Sequence, residues 1–598
     1  MAGIAPGANT VADGYSHNDE RIPVSGPDLD FTYNDGPSAT PFALDSDNGD
    51  GYGTGNGQTG IDNHLPHPDR PMLTQTHEGE YRDDHGELPP VRVTRANKLF
   101  AFCAALNSCN LGYDIGVNTD AAMKLQNSMD LSDTQLEIFM GSLNLFAMIG
   151  ALCAHAISDR FGRRGAFIVA AVGFIFGVLL QASAASFNVL MIGRVFVGLG
   201  VGFGLAVDPI YIAEISPAAH RGRLVTWSEI ATNIGIVLGF TSGLAFLNVD
   251  ENTAWRAMFA MGAILPTIMI FLAYKVMPES PRWLVSKGRE SEALVVLEKI
   301  YPPGYNVNVI VEEIKEGIER EIAAEHAVGW DMILFPSPAF KRMLLVGIGT
   351  AVAQQVVGID AIQYFLIFIL DESGIKSRIT QSTILIFLGL LKLAMIFVAG
   401  FLFDTKGRRP LMFTSLAGMT VALLLISVNF IGDSHNAAFA VVGIGLYLSF
   451  FSLGMGPGAW LIPSEVFSTS IRAKAMSVAT FMNRVAGTLM TSTFLSVANA
   501  LSWAGFFLLL AVVCLICLLF LYLLLPETKG RALEDMSTYF AEITGDRSIL
   551  DVEETLARQT SNPGGSSPEA SPARERASLV STPAEKIPQD AHIVGTLA

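Results

Sequence analysis

The sequence predicts an all-α membrane protein, with twelve transmembrane helices in two six-helix halves and short cytoplasmic helices between them. Three observations carry that prediction. Apolar runs of about 20 residues recur from Leu99 to Leu525, a set of charged motifs repeats in order at nearly one offset, and Lys and Arg gather in loops on one side. Of the 598 residues, 50% are hydrophobic and 16% charged, against roughly 25% charged in soluble domains. An ordinary soluble enzyme is excluded. At 1.5 Å rise per residue, each run spans a hydrocarbon core of about 30 Å.

Taken in order, residues 1–92 form an acidic tail rich in Gly, Asp, Pro, Asn and Ser, with 16 Asp and Glu against 3 Lys and Arg before residue 91. That imbalance accounts for most of the net charge of −17, and a segment so poor in branched apolar residues is expected to be disordered. The start, MAGIAPGANT, lacks the basic and apolar regions of a signal peptide. Spans follow near 99–121, 136–158, 165–185, 189–212, 223–246 and 255–276, giving a first half over 93–277. A polar linker, 278–340, carries helix-spaced Leu, Val and Ile in Ser291–Ile300 and Val309–Ala324, as expected of amphipathic surface helices. Spans near 342–371, 380–402, 411–431, 437–461, 473–497 and 502–525 make the second half, 341–530. Residues 531–598 are read as a mostly disordered tail, solvated from about 545 onward, and cytosolic partners for either tail stay open.

Orientation follows from the loops. Arg160, Arg163 and Arg164, Arg221 and Arg223, Lys406, Arg408 and Arg409, and Arg472 and Lys474 all fall on one side, whereas 248–253 and 431–436 are neutral or acidic. Both termini and the linker are therefore expected in the cytoplasm. Lys376 and Arg378 form the one mildly basic exception.

The repeat is plain in three motifs. Asp159, Gly162, Arg163 and Arg164 return as Asp404, Gly407, Arg408 and Arg409, an offset of 404 − 159 = 245. Glu214 and Arg221 return as Glu465 and Arg472 (offset 251), and Pro278–Ser280 as Pro526–Thr528 (offset 248). A parallel duplication of this kind places a binding site at the midplane between the halves. Carboxylates and guanidinium groups at helix ends pair bidentately, so Asp159, Arg163, Glu214, Arg221, Glu279, Arg282, Asp404, Arg408, Glu465, Arg472 and Glu527 are read as a cytoplasmic gate. They are expected to hold the halves together in one conformation and to part in the other.

The motifs GYDIGV (112–117), DRFGRR (159–164), GRVFVGLGVG (193–202), PIYIAEISPAAHRGR (209–223), PESPRWL (278–284), QQVVGIDAIQYF (354–365), GPGAWLIPSEVF (456–467) and PETKG (526–530) stand in one order. In this the chain resembles the sugar porters of the major facilitator superfamily. WSEIATNIGIVLGF (227–240), GIDA (358–361), LLKLAMIF (390–397) and MNRVAGTLMTSTFLS (482–496) bring it nearest to the plant-type polyol/monosaccharide proton symporters. The resemblance implies alternating access around a central site, import of linear polyols, inositol or hexoses, no cofactor beyond the proton as coupling ion, and a multi-pass protein of the plasma membrane. It implies that Asp114 takes the proton and releases Arg194, and that Gln354, Gln355, Tyr364 and Trp460 contact substrate. Glu229, Asp360, Lys392, Asn483 and Arg484 stand where hexose-specific sugar porters carry other residues, which points to a broader polyol site.

The charges support this independently, since an ionisable residue within a membrane costs several kcal/mol unless paired or hydrated. Asp114 and Arg194 lie on the order of 10 Å from the outer ends of their helices, at matching depth. Asp360 and Lys392 match at about 11 and 12 residues. Glu229 and Arg484 lie nearer the cytoplasm, about 10 and 14 Å in. Three acid–base pairs are therefore expected around a neutral cavity that offers donors and acceptors to a substrate covered in hydroxyls.

Other features are read as structural. Gly198, Gly200 and Gly202 allow close helix packing, and Pro457 with Gly458 bends the tenth span. His155 stands opposite Gly400 of the repeat, which would alter close packing there. Asp208, near the cytoplasmic end of the fourth span, is read as solvated at the interface, with a second proton relay as the alternative. Cys103, Cys109, Cys153, Cys514 and Cys517 imply no disulfide framework. The alternatives in function are a facilitator without proton coupling and a non-transporting nutrient sensor. No nucleophile, metal cluster or phosphate loop suggests an enzyme, and nothing points to nucleic acid; the lipid bilayer and a small polyol or sugar are the expected partners.

Overall fold

The computed structural model describes residues 74–75, 81–82, 93–217, 220–302, 305–327, 329–431, 436–468, 470–531 and 533–561. The acidic arm, apart from a two-residue antiparallel pairing of 74–75 with 81–82, and residues 562–598 lie outside them.

Thr94 accepts from Asn97 N and opens α1 (Arg95–Met129). Ser132 and Gln135 form a reciprocal cap on α2 (Asp133–Ala182). At 50 residues α2 would be about 75 Å long if straight, and it breaks at Gly162, whose φ of 82° suits a residue without Cβ. Both of its arms lie on the next helix, α3 (Phe187–Ile215): a Cβ on Gly202 would meet the backbone of Ala147 and Ala151, and one on Gly200 that of Ala170 and Phe174. The glycines thus do serve helix packing. Next come α4 (Arg221–Ala245), α5 (Glu251–Met261) and α6 (Ile264–Lys275), the last two forming one interrupted span.

The linker holds α7 (Pro281–Ser286), α8 (Glu290–Ile300), α9 (Val307–Ala327) and α10 (Asp331–Leu334). Trp283, Leu284, Leu297, Ile300 and Ile310 are buried with Phe100, Tyr211 and Ile212, so α7–α9 dock under the first six spans. The second set begins with a twice-broken span, α11 (Pro338–Val356), α12 (Ile359–Tyr364) and α13 (Leu366–Glu372). There follow α14 (Arg378–Lys406), α15 (Arg408–Asn429), α16 (Ala437–Phe450), a π-turn over Phe451–Met455, and α17 (Gly456–Val466). The expected bend in the tenth span is that π-turn followed by Pro457 at the start of α17. Finally come α18 (Arg472–Ser492), α19 (Phe494–Leu524), α20 (Leu533–Thr544) and α21 (Ser548–Ser561).

Among the described residues, nine helical stretches are long and apolar enough to cross a membrane. Counting the arms of α2 separately gives ten, and α1 and α18 complete the twelve. Those two fall short because they carry the interior's polar groups, Asn107, Ser108, Asn110, Asp114, Asn118 and Asp120 on one and Asn483, Arg484 and Thr491 on the other, all buried. Large exposed side chains such as Phe387, Phe397, Ile516 and Leu519 face outward from the spans, as a lipid-facing surface requires.

One expectation fails at the C-terminal end. Residues from 545 were read as solvated, yet α21 is a helix whose Ile549 is fully buried, and Ser537 bonds Glu553 across the α20–α21 pair at 2.6 Å. Asp546 Oδ2 accepts from Ala339 N at 3.1 Å, and Ser337 and Ser548 hydroxyls meet at 2.6 Å, pinning these helices to the start of α11. Burial pushes the Asp546 carboxyl up, but hydrogen bonds from Ser337, Ser548 and Ala339 outweigh it and hold it below the usual range.

Candidate functional site

Of the three acid–base pairs matched by depth, Asp114 with Arg194 forms directly. Arg194 Nη1 donates to both carboxylate oxygens of Asp114 at 3.0 and 2.9 Å, and both residues are buried. Arg194 Nε donates to Phe139 O at 3.1 Å, and the guanidinium lies 4.6 Å from the Phe139 ring centroid. Three contacts therefore fix Arg194 to α2 and α1, while its Nη2 has no hydrogen-bond partner among the described residues.

The other two expected pairs do not form directly. Lys392 Nζ donates to Gln363 Oε1 at 3.0 Å rather than to Asp360. Arg484 Nη1 donates to Asn144 Oδ1 at 2.8 Å rather than to Glu229, and Asn144 Nδ2 donates to Asp360 Oδ2 at 3.1 Å. Asn144 of α2 is thus a neutral spacer between an acid on α12 and a base on α18. The physical reason is that depth along a helix sets height and not azimuth, so groups at one level face a common space instead of one another. Glu229 still feels Lys392 and Arg484 electrostatically, and Lys392 feels Asp360. The central charges remain balanced, as a network rather than as pairs.

Uncharged groups complete the centre. Gln354 donates to Gly456 O at 3.0 Å and accepts from Asn483 Nδ2 at 2.9 Å, while Asn483 also donates to Ala351 O. Trp460 is half-buried, its ring centroid 5.9 Å from the Arg484 guanidinium carbon. Tyr364 is buried within electrostatic range of Asp114, Arg194, Asp360 and Arg484, linking the deep pair to the network. Gln355 Oε1, Gln363 Nε2, Asn483 Oδ1, Arg484 Nε and Asn233 Oδ1 are buried without a protein partner among the described residues. Buried polar atoms so left are expensive, and they offer both donors and acceptors.

Asn144, Gln363 and Asn233 escaped the sequence reading. The available signal was an amide within an apolar run, as in Leu143–Asn144–Leu145.

At the arginine-rich end the two motif sets superimpose in their bonding. Arg163 binds Glu214 bidentately at 2.9 and 2.9 Å, and Glu279 accepts from the backbone N–H of Arg163 and Arg164, closing the helix that restarts after Gly162. Arg408 binds Glu465 at 2.8 and 3.1 Å, and Glu527 accepts from Arg408 and Arg409 N–H after Gly407. Asp159 adds a weaker contact to Arg163 at 3.3 Å. Arg282 pairs with Glu321 within the linker, Arg472 reaches Phe467 O at 3.3 Å, and Arg221 is exposed. The Asp404 side chain lies outside the described residues. Among the described residues these bonds join helices inside each half, and in this conformation none of them ties one half to the other.

The seam is made elsewhere. Besides the Asn144 bridge, Thr119 donates to Gln363 O at 2.9 Å, Ser382 to Asp120 at 3.1 Å, Ser496 N to Glu137 at 2.7 Å and Asn499 to Asp133 at 3.1 Å. All lie at mid-depth or toward the end opposite the arginines.

Two local readings change. His155 is exposed, and a Cβ on Gly400 would meet nothing within 4 Å, so neither position is a packing site. Asp208 is buried at 1% exposure, not solvated, with Oδ1 2.9 Å from Asn107 Nδ2 and Oδ2 bonded to Ser108 Oγ.

Two six-span sets with matching charged motifs, a polar midplane network and a seam of scattered single hydrogen bonds define a secondary transporter of the major facilitator type. The chain belongs to the sugar transporter family: the family model described as "Sugar (and other) transporter" matches residues 100–540. It is 39% identical over 450 residues to the probable polyol transporter 4 of Arabidopsis thaliana, covering 74% of this chain and 84% of that one. It is 34% identical over 476 residues to polyol transporter 5 of the same plant, covering 76% and 88%. Among solved structures, the inward-open xylose transporter XylE of E. coli matches with a TM-score of 0.64 at 26% identity, over 73% of this chain and 98% of that one.

Proposed function

We propose that this protein imports linear polyols, inositol and hexoses by proton symport, with Asp114 and Arg194 as the coupling pair. The observation that carries the reading is the buried Asp114–Arg194 contact, in which Arg194 is also held by Phe139. When Asp114 is ionised its charge and that of Arg194 cancel in a low-dielectric site. When Asp114 is protonated the attraction falls, α1 is freed from α3, and Tyr364 senses the change on the way to the central network. Relatives named polyol transporters, and a structural neighbour titled a proton:xylose symporter, support the reading.

Substrate contacts follow from the unpartnered atoms. A hydroxyl both donates and accepts, so a substrate hydroxyl can bond Gln355 Oε1 and Arg484 Nε in turn, with Trp460 beneath the C–H face of the substrate's carbon chain. Glu229, Asp360, Lys392, Gln354 and Asn483 set the surrounding charge and orient these groups. The arginine-rich end with both termini faces the cytoplasm, the 93–277 and 341–530 segments act as the two rocking halves, the plasma membrane is the site of action, and the tails are free to engage cytosolic partners.

The test is uptake of labelled sorbitol, myo-inositol and glucose into transporter-deficient cells at acidic and neutral outside pH, with and without a protonophore. Acid-stimulated uptake that collapses with the protonophore and with Asp114→Asn is the expected result. Uptake indifferent to pH and to the substitution makes the protein a facilitator, and absence of uptake of any polyol or sugar by surface-expressed protein overturns the transport reading in favour of a sensor.

A further inference from the structure

Asp208 takes no part in the arrangement above. It lies on α3 about 10 Å of helix from the arginine-rich end, is buried, and has no ion-pair partner among the described residues. An isolated buried carboxylate is costly unless it is hydrogen-bonded or neutralised by a proton. Here Asn107 Nδ2 and Ser108 Oγ donate to its two oxygens, one each. The site is built for this contact: Gly204, one turn before Asp208, leaves the space in which the Asn107 amide lies, and a Cβ there would collide with Asn107 Nδ2.

A polar line leads from it toward the coupling pair as far as Asn110. Asn110 Nδ2 donates to Asn107 Oδ1 at 3.2 Å, while Asn110 Oδ1 is buried with no partner among the described residues. Asn107, Asn110, Asp114 and Asn118 follow one another at spacings of three and four, on one face of α1. Beside them is a cavity of about 10 Å³ lined by Asn107, Ser108, Asn110, Phe174, Gly200 and Gly204, among others, large enough for one water.

We propose that Asp208 is a second proton-binding carboxylate on the exit route from Asp114 to the arginine-rich end. The inference rests on the symport reading. The O–H bond of protonated Asp114 breaks as its proton passes to a file of waters admitted along the Asn110–Asn107 face of α1 when the halves tilt, the last of these waters protonates the Asp208 carboxylate, and Asp114 regains its charge opposite Arg194. Asp208 then gives the proton to bulk water, so charge is conserved at each step.

Few titratable groups face Asp208 from its neighbours. From α1 there are the thiols of Cys103 and Cys109 and, further along, Asp114. On α2, Cys153 and His155 are exposed and Arg163 is engaged by Glu214. From α4 there is Glu229, which answers to Lys392 and Arg484. On α7, Arg282 is held by Glu321. On α3 itself Tyr211 donates to Pro278 O.

The experiment uses the full chain in proteoliposomes with interior and exterior pH set separately, and follows net sorbitol uptake and sorbitol exchange for wild type, Asp208→Asn, Asp208→Ser and Asp208→Glu. Asp208→Asn, which keeps the size and the Ser108 bond, should leave exchange within about twofold. Net uptake should fall at least tenfold with an altered dependence on interior pH, and Asp208→Glu should restore part of it. If Asp208→Asn does not insert, Asp208→Ser is read in the same way. A wild type that responds to pH beside an Asp208→Asn indistinguishable from it overturns the relay and leaves symport standing. Loss of exchange together with net uptake in inserted protein makes Asp208 a packing residue and overturns it too. A wild type indifferent to pH overturns both readings.

Discussion

Replacing Asn144 by Ala tests the seam at its most specific point. Its side chain holds Arg484 at 2.8 Å and Asp360 at 3.1 Å, joining α2 to α18 and α12. Hydrogen bonds to charged groups contribute about 1.5–3 kcal/mol each. Asp360 is half-exposed, so water recovers much of its share, and the net loss should be about 1.5–3 kcal/mol. At 1.4 kcal/mol per factor of ten, the population in which α2 and α18 touch should fall roughly 10- to 150-fold relative to the opened one. Spin labels at residues 130 and 501, both exposed at the end away from the arginines, in a background where Cys153 is Ser, report the separation by pulsed spin resonance. The expected result is a longer distance at the expense of the short one, restored in part by Asn144→Gln. An unchanged distance distribution in Asn144→Ala would refute the argument that this amide bridges the halves.

The remaining predictions concern other parts of the fold. Glu214→Ala leaves Arg163 half-buried without its bidentate partner and should lower thermal stability in detergent by about 1.5–3 kcal/mol, as read by a melting assay; Glu465→Ala should match it if the halves are equivalent. Gly202→Leu drives a side chain into the Ala147 backbone and should abolish assembly of the first six spans, seen as loss of monodisperse protein. Arg194→Lys keeps the charge but loses the two-armed hold on Asp114 and Phe139; transport should fall more than surface expression, measured side by side. The hold of α21 on α11 should weaken on acidification, because the Asp546 carboxyl is depressed in the folded state. Its contribution is present above the unfolded pKa of about 4 and is lost as pH falls through the lower folded value. Proteolysis near residue 547 should accelerate there, and in Asp546→Ala already at neutral pH.

Spans and motifs were legible because they are written in local terms: run length, loop charge and spacing. The repeat brought out Arg163, Glu214, Arg408 and Glu465 as charged helix-end residues, but not that each arginine closes on the glutamate of its own half. The direct Asp360–Lys392 and Glu229–Arg484 pairs did not follow, since sequence distance from a helix end says nothing of the direction a side chain takes. Asp208 illustrates the same limit, because its height suggested interfacial water while packing by α1 and Gly204 enclosed it. The helix at 548–561 was hidden by its many Ser, Glu and Thr residues; what orders it is a single apolar edge, with Ile549 buried and Val552 beside it, laid against the end of α11.

Because each arginine–glutamate web closes on itself within six spans, tilting one half against the other breaks none of those bonds. The work of the cycle is then done against single hydrogen bonds along the seam in which an amide or a hydroxyl meets one charged group, buried contacts that ions in solution screen far less than exposed ion pairs. Turnover should therefore be nearly flat with ionic strength, while protein stripped from its membrane should lose stability as salt rises. Durability and motion are assigned to different forces in the same molecule, and each can be tuned without touching the other.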